Sequence, residues 1–211
     1  MKFGMDDRFF PVLVNKNKVD NKVVTKDFAG DIAIVYAKYL GKNVNENITF
    51  AIATPTTEVN VDKMHAMAME NLLRSDLPET EVYLKPVAEM LRELMGDIMD
   101  MPDFNMTEGP QMFVLSNKMK IRGAGQILRP DLLRNFCIWH DTESVYIIPS
   151  SIHEFILVVM KDEDKENMSQ IIKEVNASEV SPEDFLSNYL YKYTLETNEI
   201  TVVNETKNGS K

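Results

Sequence analysis

The sequence contains little of what several protein classes require. Cys137 is the single cysteine among 211 residues, so no intramolecular disulfide can form and no cysteine-based zinc site can close. No apolar run approaches the roughly 20 residues that a membrane-spanning helix needs. The first ten residues hold Asp6 and Asp7 and no apolar signal region. We therefore expect a cytoplasmic protein that does not bind membranes.

Positive charge is also scarce, since 33 acidic residues face 23 lysines and arginines and the formal net charge is −10. Direct binding to nucleic acid or to an anionic membrane requires a positive surface and is not expected. The charge is uneven, because residues 76–108 hold nine acids and two bases, and residues 111–140 hold five bases and one acid. The simplest interpretation is that the two stretches face each other or that each provides solubility on a separate face. Alternatively, the basic stretch holds an anion, or the acidic stretch engages a basic partner.

The first half of the chain has a pattern that predicts a β-α-β-α-α order. A strand is expected over residues 9–14 and another over residues 48–53. Between them, six apolar residues at three- and four-residue spacing predict a helix: Phe28, Ile32, Val35, Tyr36, Tyr39 and Leu40. Thr25 is its expected N-cap and Gly41 its expected C′ residue. Further helices are expected over residues 60–74 and 87–99.

The second half predicts a β-β-α-β-β-α order that ends in a hairpin. The expected elements are a strand over 112–116, a glycine-interrupted strand over 121–128, a helix that opens at Pro130, strands over 145–148 and 155–160, a helix over 164–175, a helix that starts at Ser181, and a closing hairpin over 191–203. Short neighbouring strands favour antiparallel pairing. The predicted fold class is therefore α+β with mixed helices and short antiparallel strands.

A single α+β domain over residues 1–203 is the expected organisation, followed by a flexible tail over 204–211. The segment 100–110 contains Pro102 and Pro110 and lacks an apolar period. It leaves open an alternative of two subdomains, 1–100 and 111–203, joined by that segment. We favour anchoring of the segment onto the core through its apolar residues, because exposed Phe and Met side chains invite association.

Two short stretches concentrate polar side chains that could carry chemistry. One is the connection 149–154, in which Ser150, Ser151, His153 and Glu154 lie between two apolar strands. A serine, an imidazole and a carboxylate can support nucleophilic catalysis, but a capped turn with a structural histidine explains the same residues more simply. The other stretch places Lys118, Lys120 and Arg122 before two glycines. It could hold an anion, although its spacing does not match a phosphate-binding loop.

Metal and cofactor sites are not expected. The three histidines, His65, His140 and His153, have no metal-ligand spacing between them. Cys137 lies on the apolar face of its predicted helix, which favours an inert core thiol.

Several stretches of the chain are similar to an uncharacterised bacterial family, domain-of-unknown-function family 5688, found mainly in anaerobic Firmicutes. The stretches that carry the resemblance are Phe28–Tyr36, Met112–Lys118, Gly123–Ala124, Tyr146–Glu154, Glu174–Asn176 and Val180–Glu183. The resemblance implies that the turns at Ser116, Asn117 and Lys118 and at Ser150–Glu154 are family signatures. Polar signature residues in loops mark a shared surface more often than core packing.

Three functions remain open at this point. The leading hypothesis is a non-enzymatic regulatory or protein-interaction protein whose binding surface comprises Ser116, Asn117, Lys118, Arg122, Ser150, Ser151 and His153. The first alternative is a hydrolase in which His153 acts as general base, Glu154 as its orienting group or as an acid, and Ser150 as a candidate nucleophile. The second alternative is an acidic inhibitor or mimic that occupies the basic nucleic-acid-binding surface of a partner.

Overall fold

Ten strands and four α-helices make up the α+β fold of the described residues. The computed structural model describes residues 8–20, 22–42, 48–52, 60–74, 79–95, 109–161, 165 and 168–203. The strands are β1 (Phe10–Asn15), β2 (Thr25–Ala29), β3 (Ile32–Lys42), β4 (Ile48–Ile52), β5 (Val82–Pro86), β6 (Gln111–Asn117), β7 (Ser144–Ser151), β8 (Glu154–Val159), β9 (Tyr191–Thr194) and β10 (Glu199–Val202). The helices are α1 (Val61–Leu72), α2 (Val87–Met95), α3 (Leu132–Trp139) and α4 (Met168–Glu179), and 3-10 turns lie at Lys16–Lys18 and Gly123–Leu128. All strand pairs in this part of the chain are antiparallel, which confirms the predicted class.

The first sheet is organised around β3. β1 pairs along one side of β3, and β2 and β4 pair along the other side. Ala37 illustrates the arrangement, because it is opposite both Phe10 of β1 and Ile52 of β4. All side chains from Ile32 to Ala37 are buried, as expected for a central strand that is covered on both faces.

The helix predicted over residues 25–41 is wrong, because this stretch forms β2, a tight turn and β3. Ile, Val and Tyr favour strands, and the run is apolar on both faces, so it also satisfies helical spacing. Gly30 makes the turn with φ +53°, and a Cβ there would lie 2.8 Å from the Tyr191 hydroxyl. Gly41, expected after a helix, instead has φ +102° at a bulge where β3 pairs with β4.

The second sheet has six strands in the order β10-β9-β7-β8-β6-β5. The predicted strands over 112–116, 145–148, 155–160 and the closing hairpin are all present as β6, β7, β8, β9 and β10. β5 was not predicted, since its five residues include Lys85 and end at Pro86. Proline is tolerated at that place because β5 is the edge strand.

The glycine-interrupted strand predicted over 121–128 is also wrong. Residues Gly123–Leu128 form a buried 3-10 helix that packs between the two sheets, against β1 and β6. Gly125 allows the close approach to β1, because a Cβ at this position would lie 2.4 Å from the Pro11 carbonyl oxygen. The glycines therefore mark close packing of a helical turn rather than a bulged strand.

The other helix predictions have different outcomes in the structure. α1 matches its prediction, with Asn60 as N-cap accepting from the Lys63 amide at 2.9 Å. α2 begins at Val87 as predicted, and its Leu91 and Leu94 side chains are exposed. α4 begins and ends about four residues later than expected. The helix predicted to start at Ser181 is wrong, because Ser181 opens only a single turn and residues 185–187 have no regular secondary structure, with Leu186 buried.

One buried cluster draws on both sheets, and its members include Leu13, Ile34, Leu115, Phe136 and Tyr191. A second cluster on the other face of the six-stranded sheet places Ile172 of α4 against Tyr146 and Val158. Most of the predicted segment 100–110 (residues 100–108) and the predicted tail 204–211 lie outside the described residues. The single-domain organisation stays a prediction.

Candidate functional site

The two polar turns predicted from the sequence meet in the structure. One follows β6 and leads into the 3-10 helix, and the other is the Ile152–His153 turn between β7 and β8. Gly123 is at the contact, where a Cβ would lie 2.3 Å from Ser116 Oγ, 2.4 Å from the Asn117 amide nitrogen and 2.8 Å from the His153 carbonyl oxygen. Only glycine fits between the two turns. We call this contact the turn junction.

His153 is held through both of its ring nitrogens. The backbone N–H of Arg122 donates to Nδ1 at 3.0 Å, and Nε2 lies 3.0 Å from Oδ1 of Asp184. An Nδ1 that accepts a hydrogen bond carries no proton, so the proton of the neutral ring is on Nε2 and donates to Asp184. The imidazole therefore joins three separate segments of the chain.

Asp184 was not predicted as a site residue. It ends the turn that starts at Ser181, whose hydroxyl donates to Oδ2 at 2.9 Å. Burial acts to raise the pKa of Asp184, but the hydrogen bonds from Ser181 and His153 and the positive charges nearby lower it below its usual value. The signal in the sequence was the Ser-x-x-Asp spacing, which is typical of a reciprocal cap whether or not a helix follows.

Ser116 and Asn117 are fully buried and serve the junction rather than a surface. Ser116 Oγ donates to the His153 carbonyl at 2.8 Å. The Asn117 side-chain amide donates to the carbonyls of Glu79 and Ile121, and its Oδ1 accepts from the Ile121 amide. These bonds close the loop that leads to Arg122, so Ser116 and Asn117 are not available to a ligand in this arrangement.

The serines and the carboxylate of the second turn have partners within that turn. Ser150 Oγ donates to Glu154 Oε1 at 3.2 Å, and Ser151 Oγ accepts from the His153 amide at 3.1 Å. Glu154 is thus oriented by Ser150, whereas the His153 ring is oriented by Asp184. The hydrolase alternative required His153 to pair with Glu154 or with Ser150, and the structure instead pairs Ser150 with Glu154 and His153 with Asp184.

Lys118 and Arg122, the two basic residues of the predicted site, have different neighbours in the structure. Lys118 forms an ion pair with Glu81 near the start of β5. The Arg122 backbone is in the left-handed region with φ 52°, and its guanidinium carbon lies 5.5 Å from the centroid of the Phe50 ring on β4. Burial lowers the pKa of Arg122, and the negative charge of Asp184 partly offsets that effect.

A second polar cluster, which the sequence did not reveal, joins the β2–β3 turn to the segment before β9. Asp31 accepts hydrogen bonds from Ser187 at 2.5 Å, Tyr191 at 3.0 Å and Asn15 at 2.9 Å. Ser187 and Tyr191 are buried, so this cluster satisfies internal polar groups.

Two kinds of site are not formed by the described part of the chain. No group of three or more His, Cys, Asp or Glu side chains is arranged there to hold a metal ion. No helix in these ranges has the length and apolar character needed to cross a membrane.

Comparison with known proteins gives one match. A search of curated proteins and a search of solved structures returned no match. The model of the Family of unknown function (DUF5688) matches residues 5–194. This range covers most of the chain and includes the whole turn junction, and the chain therefore belongs to the Family of unknown function (DUF5688).

Proposed function

We propose that the protein is a non-catalytic protein-binding module of the bacterial cytoplasm, and that α3 presents its main contact. The observation that carries the proposal is the exposure of Trp139, the single tryptophan of the chain. The last two residues of α3, Ile138 and Trp139, are 51% and 76% exposed. Tryptophan is enriched among the residues that dominate protein–protein affinity, because it buries a large apolar area at low entropic cost.

The end of α3 is rigid, which supports a binding role for these side chains. The Asp141 amide donates to the Ile138 carbonyl and the Thr142 amide to the Cys137 carbonyl, at 3.3 and 3.0 Å. This is a Schellman ending, in which the C′ position is left-handed and is usually glycine. Here Asp141 adopts φ 49°. The backbone that carries Trp139 is therefore held in place, so a partner that covers the indole need not order the chain there.

The outer face of α3 has a mixed character that suits another protein. Arg134, Asn135, Ile138 and Trp139 are all exposed on it, while Leu133 and Phe136 face the core. An apolar pair beside one cation and one amide resembles the anchor and rim of a protein interface. The expected partner is a protein with an apolar pocket that accepts an indole ring.

The turn junction supports the non-catalytic part of the proposal. The ring nitrogens of His153 and the hydroxyls of Ser150 and Ser151 are engaged in hydrogen bonds inside the protein. A general base must be within hydrogen-bond reach of the proton that it removes. In this structure the unprotonated Nδ1 of His153 already accepts a hydrogen bond from the Arg122 amide, so it is not free to accept a proton from a substrate.

The test uses a photo-crosslinking amino acid at Asn135, one turn before Trp139 on the same face, to capture the partner in cells. Binding of the purified partner is then followed through Trp139 fluorescence. For a variant without tryptophan, binding is followed by calorimetry. We expect Trp139→Ala to weaken binding about 30-fold or more. Tyr189→Ala, at a tyrosine that is 48% exposed on another segment, is the matched control and should bind normally.

Two results would refute the proposal. One is unchanged partner affinity in Trp139→Ala with an unchanged unfolding midpoint. The other is hydrolytic turnover of a small ester or amide that His153→Ala abolishes while the fold stays intact, since that result would establish the hydrolase alternative.

A further inference from the structure

Arg122 and Arg129 lie seven residues apart, and among the described residues Arg129 has three acceptors for its side-chain donors whereas Arg122 has none. Arg129 donates through Nε to Gln126 at 2.9 Å, and through its terminal nitrogen to the carbonyls of Leu72 and Thr80 at 2.9 and 2.7 Å. The protein thus supplies three acceptors to this guanidinium. Polar groups that are partly buried ordinarily have hydrogen-bond partners of this kind.

Arg122 has no acceptor of this kind. Among the residues that the structure describes, none places an oxygen within hydrogen-bond distance of the Arg122 guanidinium, although burial raises the cost of its charge. Asp184 is the anion that acts on it electrostatically. However, the two carboxylate oxygens of Asp184 accept from His153 and Ser181. Five N–H donors in a rigid planar fork remain available.

The guanidinium is also fixed in place. The backbone N–H of Arg122 is bound to His153, which sets the direction in which the side chain leaves the loop. The guanidinium carbon then lies over the Phe50 ring, in a cation–π contact at 5.5 Å from the ring centroid. A pre-oriented fork on an aromatic support favours a planar partner that takes two parallel hydrogen bonds.

The surrounding charge selects the class of anion. Lys118 is paired with Glu81, and the Lys120 ammonium lies over the Tyr83 ring at 4.7 Å, so each of these lysines has a partner of its own and Arg122 is the cation offered to a ligand. Asp184 is nearby and the chain has a net charge of −10. A phosphate dianion carries twice the charge of a carboxylate, so the negative charge of Asp184 and of the whole chain would repel it more strongly, and Arg122 would offset only one of its two charges. A carboxylate carries one charge and matches the fork.

We propose that Arg122, supported by Phe50, is a binding site for a carboxylate monoanion, from either a small organic acid or the C-terminus of a peptide. The site is separate from the α3 contact and does not depend on it. A carboxylate would accept two hydrogen bonds from donors for which the described residues supply no acceptor.

The test follows the Nε–H signals of Arg122 and Arg129 by ¹H–¹⁵N NMR at constant ionic strength. The probes are acetate, inorganic phosphate, acetyl-dialanine and the uncharged methyl amide of acetyl-dialanine. We expect a saturable shift of the Arg122 signal with acetate or acetyl-dialanine, a weaker response to phosphate, and none to the methyl amide. The Arg129 signal should not move, because its donors already have acceptors. Tighter binding of acetyl-dialanine than of acetate would identify a peptide terminus as the source, and the reverse would identify a small acid.

Arg122→Lys keeps the charge but removes the fork, and Arg8→Lys, at an exposed arginine outside both proposed sites, is the matched control. We expect Arg122→Lys to bind acetate at least ten-fold more weakly, with a backbone spectrum that is otherwise that of the folded protein, and Arg8→Lys to bind normally. Absence of a saturable Arg122 shift, an equal shift of Arg129, or unchanged acetate binding in Arg122→Lys would overturn the proposal.

Discussion

Gly123→Ala tests the packing of the turn junction most severely. The added Cβ would lie 2.3 Å from Ser116 Oγ, 2.4 Å from the Asn117 amide nitrogen and 2.8 Å from the His153 carbonyl oxygen. Two of these three atoms belong to the backbone, so side-chain rotation cannot relieve the contact. The 3-10 helix must therefore move away from the junction.

The expected cost has two parts. Overpacking of a tight interior costs about 1–3 kcal/mol. The movement also weakens the hydrogen bonds from the Arg122 amide to His153 and from the Ala124 amide to the Ile152 carbonyl, at about 1 kcal/mol each. We expect the free energy of unfolding to fall by about 3–5 kcal/mol in total, measured by urea denaturation at unchanged slope.

Ser116→Ala provides the control for this prediction. Alone, it removes one buried hydrogen bond to His153 and should cost about 1 kcal/mol. In the double variant it removes the nearest atom but not the backbone contact, so it should not rescue Gly123→Ala. A loss below about 0.5 kcal/mol for Gly123→Ala, or full rescue by Ser116→Ala, would refute the packing argument.

Three further predictions concern the charged and buried groups. The folded-state pKa of Asp184 is lowered from its usual 3.8, so its contribution to stability is present above that value and is lost as the pH falls through the folded-state pKa. Asp184→Asn should cost about 1 kcal/mol at pH 7, a modest figure because 40% of the side chain is exposed, and urea midpoints of both proteins should converge in acid. Burial raises the pKa of Cys137 from 9.0 to about 11. Its thiol should therefore react with a disulfide reagent on the order of a hundred-fold more slowly in the folded protein than in urea. Equal reaction rates in the two states would contradict its burial. Asp31→Ala removes the carboxylate that accepts from the buried hydroxyls of Ser187 and Tyr191, so that only one of them can still donate, to the other. It should cost about 3 kcal/mol of unfolding free energy. The exposed Asp27→Ala should change it by less than about 0.5 kcal/mol, and similar losses in both variants would contradict the role of the cluster.

Elements with a clear local pattern could be predicted from the sequence. α1 has a capping asparagine and an apolar stripe, and β7 and β8 are short apolar runs separated by a polar turn. β3 was missed for a physical reason. A central strand buried on both faces loses the alternation that identifies a strand, and its apolar residues then fit helical spacing equally well.

The turn junction could be predicted only in part. The sequence drew attention to Ser116, Asn117 and His153, and the structure brings these residues together. The sequence could not indicate which polar atoms bind one another, because Arg122 and Asp184, the partners of the His153 ring, each lie 31 residues away from it along the chain. Asp184 was therefore missed as a partner. Gly123 was interpreted as a break in a strand because its close contacts exist only in the folded protein.

The central claim is that His153 is a structural bridge of the turn junction and not a catalytic base. Long-range ¹H–¹⁵N correlation of the imidazole at neutral pH tests it most directly. We predict a single tautomer with the proton on Nε2 and an unprotonated Nδ1, together with slow hydrogen exchange of the Arg122 amide that donates to Nδ1. An Nδ1-protonated ring, or a rapid average of both tautomers with an unprotected Arg122 amide, would contradict the claim.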